Sequence, residues 1–215
     1  MDKRKVGVLG SATVGQTLAA GFLKLGFETR IGTRNPAKLA DWAQASGVRV
    51  VKLDEAARFA DIVVLAVKGA VAEEVLQLAG PANLDGKLIL DATNPIAEAP
   101  PESGVLKFFT TLDDSLMERL QRTHPKARFV KAWNSVGAAL MVHPQLPGGR
   151  PSMFICGDDA AARAEAAQIL SQFGWDAEDC GGAAAARAIE PLCMLWCIPG
   201  FLRNDWVHAF KVLRP

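Results

Sequence analysis

Residues 6–15, VGVLGSATVG, are the most informative segment of this 215-residue chain. It begins as a short apolar strand and runs into a turn framed by Gly10 and Gly15, after which the pattern is helical. A strand, a tight turn and a helix N-terminus bring unpaired backbone N–H groups and the positive end of a helix dipole to one point, which suits a pyrophosphate. The residues predicted to bind it are Gly10, Ser11, Ala12, Thr13, Val14 and Gly15.

The end of the next predicted strand, GTRN at residues 32–35, indicates which dinucleotide is bound. An acidic residue normally stands here to bind the free 2′-hydroxyl of NAD, and this segment has none. The Arg34 guanidinium is a permanently charged fork of donors and Thr33 adds a hydroxyl, so the pair suits a 2′-phosphate. Asn35 is expected to cap the next helix, which puts Lys38 near the same phosphate. The sequence therefore predicts NADP(H), held by Thr33, Arg34 and Lys38.

Ala12 departs from the G-x-G-x-x-G fingerprint of dinucleotide-binding turns, which has glycine at this position. Its methyl group is a small intrusion toward the pyrophosphate, and the hydroxyls of Ser11 and Thr13 can compensate. An alternative stays open, in which this is a glycine-rich turn that binds nothing.

The composition excludes several classes of function. Lys and Arg number 24 against 23 Asp and Glu, and there is no basic run, so no nucleic-acid partner is expected. The four cysteines and three histidines form no ligand cluster, so no metal site is predicted. The N-terminus leads directly into the first strand without a signal peptide, and the apolar run at residues 192–202 is short for a bilayer. We expect a cytoplasmic protein without a membrane partner.

Strand and helix patterns alternate through the first two thirds of the chain. Residues 62–67, IVVLAV, form an unbroken apolar run that is typical of a parallel strand covered on both faces. Six strands joined by crossovers predict an α/β fold with a doubly wound, mostly parallel sheet. The predicted strands are residues 6–9, 27–31, 48–51, 62–67, 88–90 and 129–132, and the helices between them are residues 14–25, 36–45, 71–79 and 115–121.

The rest of the chain is predicted to form a small C-terminal domain that changes from α/β to helical. Residues 144–151 are rich in Pro and Gly and indicate a linker, which divides residues 1–143 from residues 152–215. We expect the second domain to close the cleft, and its apolar helices are candidates for a homodimer interface. Its predicted elements are strands at residues 152–156 and near Trp175, and helices at residues 160–173, 183–196 and 202–212.

Ligands of open parallel sheets bind beyond the carboxyl ends of the strands, where the strand order reverses. From such positions Asn94 and Asn134 can hydrogen-bond a carboxamide or a ribose, and Trp133 offers a flat wall for a ring. The long connection at residues 96–111 is expected to cover the site. For each residue a plain role in a turn, the core or a dimer interface stays open. The further predicted cofactor contacts are Val67, Lys68, Asn94, Pro95 and Asn134, and the predicted substrate pocket is Trp133, Ser135, Leu192 and Trp196.

Missing residues also narrow the chemistry. The chain has no tyrosine, which excludes a Tyr-Lys proton relay, and it shows neither a metal cluster nor a histidine–carboxylate pair. We therefore assign no catalytic side chain. A reductase without a catalytic acid suits an acceptor whose own ring takes the hydride and stabilises the resulting anion, such as a flavin or a deazaflavin. Two alternatives stay open, an imine or β-hydroxyacid reductase and a non-enzymatic NADP(H)-binding redox sensor.

Together these motifs resemble the F420-dependent NADP oxidoreductase family, which is related to the cytosolic domain of membrane metalloreductases. The resemblance implies a Rossmann domain with a small C-terminal domain, NADP on the first turn, and hydride transfer to coenzyme F420 in the cleft between the domains. Two residues depart from the family pattern: Ala12 replaces the middle glycine, and Trp133 stands where Phe is more usual. The acceptor therefore stays open among F420, a flavin, a quinone and a ferric chelate. The matching segments are residues 10–15, 31–36, 65–67, 91–95, 131–137, 157–159 and 186–191.

Overall fold

Six strands form one parallel sheet in this computed structural model, which describes residues 4–215. In chain order they are β1 (Lys5–Leu9), β2 (Glu28–Gly32), β3 (Arg49–Val51), β4 (Ile62–Leu65), β5 (Leu88–Asp91) and β6 (Arg128–Lys131). Their spatial order is β3-β2-β1-β4-β5-β6, and every neighbouring pair is parallel. The order reverses between β1 and β4. This confirms the predicted doubly wound α/β sheet.

Helices cover both faces of this sheet. They are α1 (Thr13–Lys24), α2 (Ala40–Ser46), α3 (Leu53–Phe59), α4 (Ala72–Ala79) and α5 (Leu116–Thr123). Because side chains alternate along a strand, Val8 packs with Phe22 of α1 on one face, while Leu9 packs with Leu76 of α4 on the other. β4 is buried at every position, as its apolar run predicts.

The C-terminal part contains a second, two-stranded parallel sheet beside the large one. It contains β7 (Ser152–Ile155), α6 (Ala160–Gln172), β8 (Asp176–Asp179) and α7 (Ala186–Arg203), and β7 pairs with β8. The Lys131 N–H donates to the Cys156 carbonyl over 2.9 Å, which joins β7 to the edge of the large sheet. One hydrophobic cluster holds both Phe173 and Phe22, so the core crosses residues 144–151. The division into two domains at this point stays a prediction.

Of the two predicted C-terminal helices, the first, residues 183–196, is confirmed, and the second, residues 202–212, is wrong. A single helix, α7, runs to Arg203, where Asn204 takes a left-handed conformation with φ of 55° and ends it. Residues 204–215 are not helical. Their conformation is set by contacts with the rest of the chain, since the Trp196 Nε1–H donates to the His208 carbonyl over 2.8 Å and the Ser152 N–H donates to the Phe210 carbonyl over 2.8 Å.

The apolar C-terminal segment is longer than the sequence pattern indicated. The helical stretch Ala183–Arg203 has 21 residues and a mean hydropathy of 1.3, so by length and composition it could cross a membrane. The apolar run at residues 192–202 is thus part of a longer helical stretch, and the expected absence of a membrane partner stays a prediction. Core helices of soluble proteins meet the same criteria, and here Glu190 of α7 is buried in an ion pair with Lys131 of the large sheet.

Candidate functional site

The turn after β1 depends on two glycines. Gly10 has a φ of 129°, and a Cβ on it would lie 2.1 Å from the Ala66 carbonyl oxygen. A Cβ on Gly15 would lie 1.9 Å from the Gly10 carbonyl oxygen. Only glycine allows these approaches, which bring the N-terminus of α1 against the ends of β1 and β4.

Ala12 occupies the middle position of this turn without strain. It is the N-cap residue of α1, with φ of −82° and ψ of −178°, which any residue can adopt. Its side chain is exposed and makes no capping hydrogen bond, so the N–H groups of the first turn have no side-chain acceptor. Those donors and the helix dipole fit a pyrophosphate, and the extra methyl group does not change the backbone.

The end of β2 places one polar and one cationic side chain beside this turn. Thr33 is buried, and its Oγ1–H donates to Ser11 Oγ over 3.1 Å. Arg34 is exposed, and its Nη1 lies 3.2 Å from Glu74 Oε1 of α4. Asn35 makes no side-chain cap, contrary to the prediction, and its backbone N–H donates to Thr33 Oγ1 over 3.3 Å. The next segment is a 3₁₀ turn, Pro36–Leu39, and Lys38 on it is exposed.

Two neighbouring cavities lie at the carboxyl ends of these strands. The larger has a volume of about 570 Å³ and the smaller about 390 Å³, and part of their walls is common to both. They form one groove across the reversal of strand order, where ligands of doubly wound sheets bind. The common wall is Ala12, Ala66, Val67, Lys68 and Glu98. The larger cavity adds Val14, Gly69, Ala70, Ala92, Asn94, Ile96, Ala97 and Ala99, and the smaller adds Gly10, Ser11, Gly32, Thr33, Arg34, Leu53, Val71 and Val75.

Most of the predicted cofactor residues meet at this groove. Those on its wall are Gly10, Ser11, Ala12, Val14, Thr33, Arg34, Val67, Lys68 and Asn94. Those that do not line either cavity are Thr13, Gly15, Lys38, Pro95 and Asn134.

Asn134 lies behind Asn94 rather than on the groove. It is 3% exposed, its Nδ2–H donates to the Ile189 carbonyl over 2.9 Å, and its own carbonyl accepts from Asn94 Nδ2 over 2.7 Å. Asn134 therefore connects the Asn94 loop to α7. The predicted direct contact of Asn134 with a cofactor does not fit this placement, because neighbouring residues use its donor.

The predicted substrate pocket does not assemble at this groove. Trp133 is 1% exposed, and its ring packs edge-on against Phe22 and Phe173, at 6.2 and 5.1 Å between ring centres. The backbone of Trp133 has a left-handed φ of 56°, and its side chain lies in the core between these two rings. Ser135 and Trp196 are also buried, and the ring of Trp196 lies over Gly137. Of the residues described, neither these three nor Leu192 lines the larger or the smaller cavity.

Glu98 and its neighbours were missed as individual groove residues. They belong to the long connection after β5, which folds back on itself through an antiparallel bridge between Ile96 and Phe108. The Ala97 N–H donates to the Lys107 carbonyl over 2.8 Å. The length of this connection was the one signal in the sequence, and it indicates a covering loop without saying which side chains face the groove.

A buried ionic cluster behind the groove was also missed. The Lys131 ammonium lies 2.7 Å from Asp91 Oδ2 and 3.0 Å from Glu190 Oε1, and all three side chains are buried. Burial alone would lower the pKa of Lys131, but the two carboxylates outweigh it and raise this pKa. Asp91 Oδ1 accepts from the N–H and the hydroxyl of Thr93, next to Asn94. The signal available in the sequence was a charged residue at the end of each of two apolar strands, Asp91 in β5 and Lys131 in β6, which indicates a buried ion pair.

Comparison with known proteins shows which family this chain is similar to. The model of the family described as NADP oxidoreductase, coenzyme F420-dependent, matches residues 5–95. Metalloreductase STEAP3 from Rattus norvegicus is 30% identical over 203 residues, which are 92% of this chain and 39% of that protein. This chain thus spans about two fifths of that relative's length. An imine reductase from Myxococcus stipitatus, with 18% identity and a TM-score of 0.68 over 94% of this chain and 63% of its own, shares the fold.

The most informative of these similarities covers nearly the whole of both proteins. A crystal structure from Arthrobacter sp. FB24, of a protein inferred to be an F420-dependent NADP reductase, has a TM-score of 0.92 and 37% identity. The match covers 98% of this chain and 100% of that one. The chain therefore belongs to the F420-dependent NADP oxidoreductase family and is an NADP-dependent oxidoreductase.

Proposed function

We propose that this protein transfers a hydride between NADP(H), bound in the groove, and a small ring acceptor of the deazaflavin F420 or flavin type. The observation that carries the proposal is the continuous groove at the reversal of strand order, with Arg34 at one end and Asn94 at the other. The acceptor class is supported by the name of the family and by the similar Arthrobacter protein.

The smaller cavity suits the adenosine end of the cofactor. The Arg34 guanidinium and the Lys68 ammonium provide two cations there, and no acidic side chain follows β2. The pyrophosphate would then lie on the N–H groups at the start of α1, beside the exposed Ala12. Lys38 is exposed on the 3₁₀ turn after Arg34, outside the cavity wall, so we propose it as an outer contact of the 2′-phosphate.

The larger cavity suits the nicotinamide end. NADPH supplies the hydride when it is bound. The wall consists largely of Ala and Val side chains, which exclude water. The Asn94 amide also lines it; one N–H donates to the Asn134 carbonyl and its Oδ1 accepts from Asn134, which leaves its second N–H and second lone pair to orient a carboxamide. The loop at residues 96–99 closes one side of the cavity. Among the described residues on this wall, Lys68 and Glu98 carry titratable side chains and none is a histidine, and an acceptor whose own ring takes the hydride needs mainly orientation.

The first test is the choice of cofactor. Arg34→Gln should weaken NADP⁺ binding about ten- to a hundredfold, because a hydrogen bond to a charged group contributes roughly 1.5–3 kcal/mol, and it should leave NAD⁺ binding nearly unchanged. Calorimetric titration with both dinucleotides measures this. Arg49→Gln, at the opposite end of a neighbouring strand, is the matched control. Equal affinity of the unmodified protein for the two dinucleotides would refute the proposed NADP site.

The second test identifies the acceptor. The loss of NADPH absorbance is followed with F420, FMN, a quinone, a cyclic imine and a ferric chelate under the same conditions. Turnover with F420 or FMN supports the proposal. Turnover with the imine alone supports the imine reductase alternative, and NADPH binding without turnover of any acceptor supports a redox sensor. Turnover with the ferric chelate alone would assign metal reduction, the activity in the name of the STEAP3 relative.

A further inference from the structure

The partner of Arg34 in this structure is a carboxylate. Glu74 lies in the first turn of α4, and its Oε1 is 3.2 Å from Arg34 Nη1. Val71 and Val75, which line the smaller cavity, stand three residues before and one residue after Glu74. Because residues three and four apart share a helix face, Glu74 is on or beside the face that borders this cavity. The acid therefore stands where the 2′-phosphate is proposed to bind.

Glu74 differs in its contacts from the neighbouring acid, Glu73. The Glu73 carboxylate accepts from Thr123 over 2.8 Å and from Gln77 over 3.0 Å, so it connects two helices. In the described part of the chain, Arg34 is the hydrogen-bond partner of Glu74. The side chains of Arg34 and Glu74 are 66% and 54% exposed, and such exposed pairs contribute little to folding stability. A structural role therefore does not explain this pair well.

We propose that Glu74 is a specificity-determining residue that competes with the 2′-phosphate of NADP(H) for the Arg34 guanidinium. This inference rests on the proposed function, in which Arg34 binds that phosphate. A phosphate monoester carries a charge of about −1.5 to −2 at neutral pH, and the Glu74 carboxylate lies well within the Debye length of about 8 Å from any anion on Arg34. NADP(H) must displace this carboxylate or bind beside it, and both cost affinity. NAD(H) lacks the phosphate and is not opposed.

The competition has a consequence for turnover. NADPH and NADP⁺ both carry the 2′-phosphate, so a reductase that binds this phosphate tightly would release the product form of the cofactor slowly. Because the Glu74 carboxylate competes with the 2′-phosphate for the Arg34 guanidinium, it lowers the affinity for both NADPH and NADP⁺. Glu74 thus weakens the binding that Arg34 provides and shortens the lifetime of the complex.

The variant Glu74→Gln tests the proposal, since it keeps the shape of the side chain and removes its charge. NADP⁺ should bind about three- to tenfold more tightly and NADPH should dissociate more slowly, while NAD⁺ affinity changes less than about twofold. The gain should shrink as salt is raised. Glu28→Gln is the matched control, because Glu28 is an exposed acid at the opposite end of β2. Calorimetry and stopped-flow dissociation measure the two effects, and thermal melting verifies that each variant is folded.

Arg34→Gln and the double variant Arg34→Gln/Glu74→Gln separate this inference from the proposed function. If Arg34→Gln leaves the preference for NADP⁺ over NAD⁺ intact, the proposed 2′-phosphate site is wrong. If Arg34→Gln removes that preference while Glu74→Gln leaves NADP⁺ affinity unchanged or lowers it, the site stands and the role of Glu74 is overturned. A gain from Glu74→Gln that is largely lost in the Arg34→Gln background supports competition for the guanidinium.

Discussion

At the scale of single residues, two glycines allow the N-terminus of α1 to lie close to the ends of β1 and β4. Gly10 and Gly15 approach backbone atoms so closely that a methyl group on either would overlap a carbonyl oxygen. Ala12, between them, has an ordinary extended backbone and an exposed side chain. The structure thus explains why the middle glycine of the fingerprint can be replaced here and the outer two cannot.

Gly15→Ala should destabilise the protein although alanine is the better helix former. The added methyl group would lie 1.9 Å from the Gly10 carbonyl oxygen, which is backbone and cannot move aside without moving β1. We expect the free energy of unfolding to fall by about 2–3 kcal/mol, measured by urea denaturation. Gly148→Ala is the control, since a Cβ there meets nothing within 4 Å. Equal stability of the two variants would contradict the close approach.

At the scale of elements, a buried ionic cluster joins two strands and two helices behind the groove. Lys131 of β6 pairs with Asp91 of β5, its register partner, and with Glu190 of α7. The Glu190 carboxylate also accepts from the N–H groups of Leu116 and Met117 at the start of α5, at 3.0 Å each. The cluster therefore holds the loop after β5, α5 and α7 in one arrangement.

Lys131→Met should be strongly destabilising. The substitution leaves two buried carboxylates without their cation, and removing one partner of a buried ion pair costs about 3–5 kcal/mol. Denaturant unfolding measures this loss of stability. Lys126→Met, which removes an exposed pair with Asp85, should cost less than about 1 kcal/mol. Similar losses in both variants would show that burial of the cluster is not what matters.

The ion pair between Arg187 of α7 and Glu118 of α5 should make the folding stability decrease at acidic pH. The Arg187 guanidinium, with help from Ser115, lowers the pKa of Glu118 from its ordinary 4.5 to about 2. A lowered folded-state pKa gives stability that is complete above the unfolded value and is lost as pH falls through the folded value. Arg187→Met should therefore melt below the unmodified protein at pH 7, and the gap should close between about pH 4.5 and 2. Arg203→Met, on the same helix, should show no such closure.

At the scale of the whole molecule, one side of α7 remains uncovered. Leu195, Phe201 and Leu202 are 54%, 43% and 56% exposed, which is unusual for large apolar side chains of a monomer. We propose that a second copy of the chain covers them. Light scattering after gel filtration should give the mass of a homodimer, and Leu195→Glu should shift it to the monomer without loss of helix content. A monomer at high concentration in the unmodified protein would refute the dimer.

Residue patterns along the chain predict the parallel sheet, the glycine turn and the convergence of that turn with Thr33 and Arg34 in one groove. These features follow from local signals, namely glycine spacing, apolar runs and the rule that parallel strands end at one edge. The folded chain was needed to show that Trp133 belongs to the core rather than to a pocket wall, and that Lys131 contacts two carboxylates. The same holds for the contact of Glu74 with Arg34 and for the end of α7 at Arg203. Each of these depends on contacts between residues far apart in the chain, which neither periodicity nor residue type can specify.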